Sequence, residues 1–82
     1  MKLKIYAVKD VVVGEMANPF YLNNDDEAKR AFKNAVNGNS GNISLNYKDM
    51  QLFKLGEYNT TTGEIISKVE FIENGQNVKV GG

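Results

Sequence analysis

Lys2, Lys4 and Tyr6 alternate along the first ten residues, and Lys54, Tyr58 and Lys68 recur on later segments with the same period. In an extended chain, residues two apart share a face. If Leu3, Ile5, Phe53, Leu55, Val69 and Phe71 form the buried side of a sheet, these six cations and phenols stand together on the other. Single-stranded nucleic acid suits such a face, because ammonium groups follow phosphates and rings stack on bases for about 1–3 kcal/mol per base. An ordinary solvated sheet face has the same pattern.

Other groupings are explained by local structure. Lys29, Arg30 and Lys33 lie opposite an apolar helical stripe, but Asp25 and Asp26 precede Lys29 and Arg30 by four residues, the favourable order for helix ion pairs. A solvated helix face is the expectation, with a contributing role at the rim of a nucleic-acid site. Asp25, Asp26 and Glu27 are adjacent carboxylates that a helix N-terminus accounts for without a metal. Of the rings in Pro19-Phe20-Tyr21, Phe20 is expected in the core near Phe32 and Tyr21 at the surface or a subunit contact. The hydroxyls of Asn59-Thr60-Thr61-Thr62 could touch phosphates, although turn chemistry explains them equally. Gly38 and Gly41 follow a helix and precede no Gly-Lys-Ser/Thr, so they form no phosphate cradle. A terminal Gly81-Gly82 is a feature of ubiquitin-like carriers, on two residues only.

Composition narrows the choices. The 82 residues suffice for one domain, and ten basic against ten acidic side chains leave no net field to attract a polyanion. A nucleic-acid site must then be a local patch. With neither cysteine nor histidine, thiol nucleophiles, the common zinc sets and the Ser-His and Cys-His pairs are excluded. The chain is expected to be no enzyme and to need no cofactor or metal. Lys9 and Asp10 break the apolar start, and no stretch approaches the roughly 18 apolar residues of a membrane span, so neither a secretory leader nor a membrane association is expected.

The elements that would position the six residues can be read from pattern. Residues 3–7 alternate as a strand, with Val11–Val13 continuing it past a bulge at Lys9 and Asp10 until Gly14 turns the chain. Pro19 keeps the lead-in extended. Asn24 caps a helix, Glu27 stands as its capping-box partner, and Gly38 ends it in a left-handed conformation. Ala28, Ala31, Phe32, Ala35 and Val36 form its apolar stripe. A flexible loop is predicted over residues 38–46, then two strands joined by a turn at Asn59–Gly63. The fold is α+β: a two-layer domain over residues 1–75 with one helix on a small antiparallel sheet in β(β)αββ order, and residues 76–82 a short edge strand or frayed tail.

In order, a strand ending at Asp10, Asn18-Pro19-Phe20, the run Glu27-Ala28-Lys29-Arg30-Ala31-Phe32-Lys33-Asn34-Ala35-Val36-Asn37, then Tyr47-Lys48-Asp49-Met50-Gln51-Leu52-Phe53-Lys54-Leu55-Gly56-Glu57-Tyr58-Asn59 and Thr62-Gly63-Glu64-Ile65, resemble the small nonstructural protein of gokushoviruses, microviruses with single-stranded DNA genomes. The likeness spans residues 3 to about 66. It implies a DNA-binding phage protein acting in the host bacterial cytoplasm during genome replication or packaging, and it brings no catalytic or contact residues. On this reading the partner is single-stranded DNA, bound with little sequence preference by Lys2, Lys4, Tyr6, Lys54, Tyr58 and Lys68, with Lys29, Arg30 and Lys33 at the rim. A homodimer through an exposed sheet edge is expected. The rival expectation is a factor that binds a viral or host protein.

Overall fold

The computed structural model describes residues 1–39 and 41–81. In chain order these form β1 (Lys2–Asp10), β2 (Glu15–Met16), β3 (Phe20–Leu22), α1 (Asp25–Val36), the single turn α2 (Asn42–Leu45), a 3-10 turn (Tyr47–Asp49), β4 (Met50–Asn59), β5 (Ile65–Asn74) and the single turn α3 (Gly75–Val78). The strands make one antiparallel sheet in the order β2-β1-β4-β5, and β3 also pairs with β1, beside β2. This is the α+β two-layer domain expected from the pattern.

The helix forms where its caps say it should. The Asn24 side chain accepts from the Glu27 amide, a free donor of the first turn, and Glu27 reaches back to accept from the Asn23 amide just before the cap. Ala28, Phe32 and Val36 are buried, whereas Ala31 is exposed, so the stripe is narrower than its sequence suggests. Gly38 does not terminate the helix in a left-handed conformation, because its φ is not positive. Asn37 does the work through its side chain: Nδ2 donates to the Lys33 and Val78 carbonyls and Oδ1 accepts from the Val80 amide. One residue thereby closes the helix and fastens the chain end to it. That explains why Gly75–Val78 make a helical turn against the core where an edge strand or a frayed tail is expected from residue 76.

Two connections also differ from expectation. Val11–Val13 do not extend β1. Asp10 Oδ1 accepts from the Val12 and Val13 amides, and the Gly14 amide donates to the Asp10 carbonyl, which folds the segment into an exposed turn. The segment predicted to be a loop, residues 38–46, holds α2, and the 3-10 turn follows it; Ser40, within that prediction, lies outside the described residues. The β4–β5 hairpin turns as the sequence indicates. Asn59 Oδ1 accepts from the Thr61 and Thr62 amides, and Gly63 has φ 80°.

The core lies between α1 and one face of the sheet. It is built from Tyr6, Val8, Ala28, Phe32, Val36, Met50 and Leu52, with Phe20, Leu22, Ile43, Tyr47, Ile72 and Val78 packed at its margin. Even-numbered β1 residues therefore point at the helix. The odd ones, Leu3, Ile5, Ala7 and Lys9, point away from it.

Candidate nucleic-acid interface

The parity of β1 is the reverse of that expected, and it reassigns most of the predicted site. Tyr6 is fully buried, stacked on Phe20 at a centroid distance of 5.9 Å, and its hydroxyl donates to Asp25 Oδ1 at 2.6 Å. It therefore cannot serve as a stacking platform. Burial, followed by the bond to and the charge of Asp25, pushes its phenol well above the ordinary tyrosine value of 10.0. The interaction ties the start of α1 to the central strand.

The cations expected beside Tyr6 are held on that same helix side by carboxylates. Lys4 Nζ donates to Glu57 Oε1 at 2.8 Å, and Lys54 lies 3.7 Å from Asp25. Lys68 lies 3.3 Å from Glu70, its neighbour on β5. Lys4 in turn holds the Glu57 carboxyl below the ordinary value of 4.5. Lys54 and Lys68 do converge, in a shallow depression of about 340 Å³ that Gly56, Glu57, Ile66 and Glu70 complete. Two carboxylates there balance two ammonium groups, so the depression offers no net attraction to phosphate. Lys2 is exposed at the start of β1.

Lys29, Arg30 and Lys33 are exposed on the outer side of α1. The ion pairs expected from Asp25 and Asp26 are absent among the described residues; Asp25 turns instead to Tyr6 and Lys54. The triplet is separated from the uncovered sheet face by the whole core, so it cannot rim a site there. Glu27 is used as a cap. Of the terminal glycine pair, Gly82 lies outside the described residues.

What the uncovered face does carry is aromatic. Tyr21 is paired with Ile5, Tyr58 with Leu3, and Phe53 with both Ala7 and Phe71, so all four rings share the side facing away from α1. The Tyr21 and Tyr58 centroids lie 6.0 Å apart although β1 runs between their strands. Neighbouring strands are about 4.8 Å apart, so the two rings must lean together over β1. They roof Ile5, which is only 7% exposed although no second layer among the described residues lies above it. Phe53 and Phe71 meet edge to face at 5.7 Å. The two pairs are separated by about 16 Å along β4. Phe71 and Tyr21 are about half exposed, and Val69 and Ile65 extend the surface along β5. Lys9 has the parity of Ile5 and Ala7 and puts one cation at the end of the face.

Tyr58 is therefore the one member of the predicted sextet that sits on this face; it is joined by Tyr21, whose expected place is the surface or a subunit contact, and by Phe53 and Phe71, whose expected place is the buried side. For Phe53 a signal existed in Gly56. Its φ of 153° and the pairing of Ile5 with Gly56 but Tyr6 with Lys54 leave Leu55 as an extra residue, and the alternation of β4 inverts there. Residues on opposite sides of that glycine cannot be counted with one parity.

A family model described as Phage ORF5 protein matches residues 3–78. The chain belongs to this phage ORF5 family. The matched span runs from β1 to α3, so every ring of the uncovered face lies within the part this family shares. Neither curated proteins nor solved structures gave a match. Among the described residues of this ORF5-family chain, no helix is long and apolar enough to cross a membrane.

Proposed function

We propose that this phage protein is a non-enzymatic binder of single-stranded DNA, and that bases stack on the sheet face turned away from α1. The observation that carries the reading is the pair of aromatic contacts, Tyr21 with Tyr58 and Phe53 with Phe71, on a face that no second layer covers among the described residues. Sequence resemblance to gokushovirus nonstructural proteins supports the same class and implies the host cytoplasm as the place of action. The mode differs from a basic, phosphate-led one. The face is nearly uncharged, with Lys9 on it while Lys2 and Lys68 have helix-side parity, so stacking supplies most of the affinity and base preference is weak. If about one phosphate is neutralised, the logarithm of affinity falls with the logarithm of salt at a slope of about −0.7.

Titrating a fluorescently labelled oligothymidine tests this by anisotropy. Tyr58→Ala and Phe71→Ala should each weaken binding about 5- to 150-fold, the equivalent of losing one stacked base. The triple variant Lys29→Ala, Arg30→Ala, Lys33→Ala should bind like the parent. An unresponsive parent protein, or loss of binding in the helix variant alone, overturns the assignment. A second reading rests on the apolar exposure of Ile65, Val69 and Phe71, which also suits a protein partner in phage assembly. Under that reading the oligonucleotide leaves the anisotropy unchanged.

A further inference from the structure

We infer that the outer edge of β5 is a self-complementary seam on which a second copy of this chain docks, in antiparallel register centred on Val69. β5 runs ten residues, from Ile65 to Asn74, and pairs with β4 on one side. Among the described residues no strand pairs with its other side. An edge of this length, with Ile65, Ile66, Val69 and Phe71 exposed, is what soluble proteins ordinarily blunt with proline or isolated charge. Proline is absent from β5, and its one lysine is followed two residues later by a glutamate.

Symmetry then selects the register. Two identical edges that pair antiparallel are related by a two-fold axis normal to the sheet, so residues opposite each other share a face and the axis passes through one residue position. Centred on Lys68 or Glu70, the pairing sets like charge against like. Centred on Val69, it sets Lys68 opposite the second copy's Glu70 and the reverse, on the helix side, and Val69 against its own counterpart on the other. Lys68 and Glu70 already share one side of β5, 3.3 Å apart, so the seam gathers four alternating charges. Both copies then keep their helices on one side, and the two aromatic faces join into one surface.

The absence of cysteine makes the register directly testable. In Val69→Cys protein, the two introduced thiols would face each other at a Cα separation of about 4.5–5.5 Å, which a disulfide spans. In Ile65→Cys protein the equivalent separation is eight residues of strand, about 26 Å. Mild oxidation should crosslink the first and leave the second monomeric on a non-reducing gel. Sedimentation velocity supplies an independent arm: Lys68→Glu should weaken the dimer about tenfold, and adding Glu70→Lys should restore it. A parent protein that stays monomeric, equal crosslinking of both cysteine variants, or a double exchange that fails to rescue while circular dichroism shows it folded, would each overturn the inference.

Discussion

Replacing Tyr6 by Phe separates a structural role for this phenol from a role in ligand binding. The substitution keeps the ring that packs on Phe20 and removes the hydroxyl that donates to Asp25 at 2.6 Å. A hydrogen bond to a charged acceptor contributes about 1.5–3 kcal/mol. The Asp25 side chain is 41% exposed and keeps Lys54 nearby, so water can take the vacated position and the cost belongs at the lower end, about 1.5 kcal/mol. With an unfolding entropy of about 2.1 cal/mol/K per residue, an 82-residue domain should lose about 9 °C in thermal midpoint. Differential scanning calorimetry measures the shift, and oligonucleotide anisotropy on the same preparation, well below the new midpoint, should show unchanged affinity. An unchanged midpoint together with weakened binding would refute the reasoning, because the hydroxyl would then be meeting the ligand and not the helix.

Four more outcomes follow from named contacts. Gly56→Ala should destabilise the fold by about 1–3 kcal/mol in urea titrations, since a Cβ there would overlap the Ile66 carbonyl oxygen at a φ of 153°; a neutral result would mean that the bulge is not constrained. Asn37→Ala should cost about 1–2 kcal/mol and accelerate amide exchange at Val80, whose N–H it accepts; unchanged exchange would show that the chain end is held otherwise. Stability should fall as pH rises above about 10. There the unfolded chain releases the Tyr6 proton while the folded chain retains it, so deprotonation favours unfolding, and Tyr6→Phe should flatten that part of the profile. At the acid end the sign is opposite. Glu57, with its carboxyl lowered by Lys4, adds stability above pH 4.5 that is lost as pH falls through its folded value, and Lys4→Met should shrink that loss in urea titrations across pH.

The fold was legible because its signals are local. Asn24 and Glu27 mark the helix start, Asn59 and Gly63 the hairpin turn, and Ala28, Phe32 and Val36 the buried helical stripe. The face of each strand was not, because both parities of this sheet are apolar. Tyr6 and Val8 alternate with Ile5 and Ala7, and Met50 and Leu52 alternate with Phe53, so hydrophobicity alone could not say which set meets the helix. Two lysines then misdirected the choice. Lys4 and Lys54 read as solvent-facing, but carboxylates 53 and 29 positions away let them lie along the helix side, their ammonium groups paired and their stems packed. Asp25 could be placed at the helix start from sequence; its second role, receiving a tyrosine from the central strand, needs the tertiary fold. Asn37 was hidden for a similar reason, since its partners Val78 and Val80 lie more than forty residues on.

NMR titration of isotopically labelled protein with unlabelled oligothymidine tests the central claim most directly. Stacking on the uncovered face should shift the ring resonances of Tyr21, Phe53, Tyr58 and Phe71 and leave those of Tyr6 and Phe32, sealed under α1, in place. Perturbations confined to Lys29, Arg30 and Lys33 on the helix exterior, or none at any oligonucleotide concentration, would contradict it.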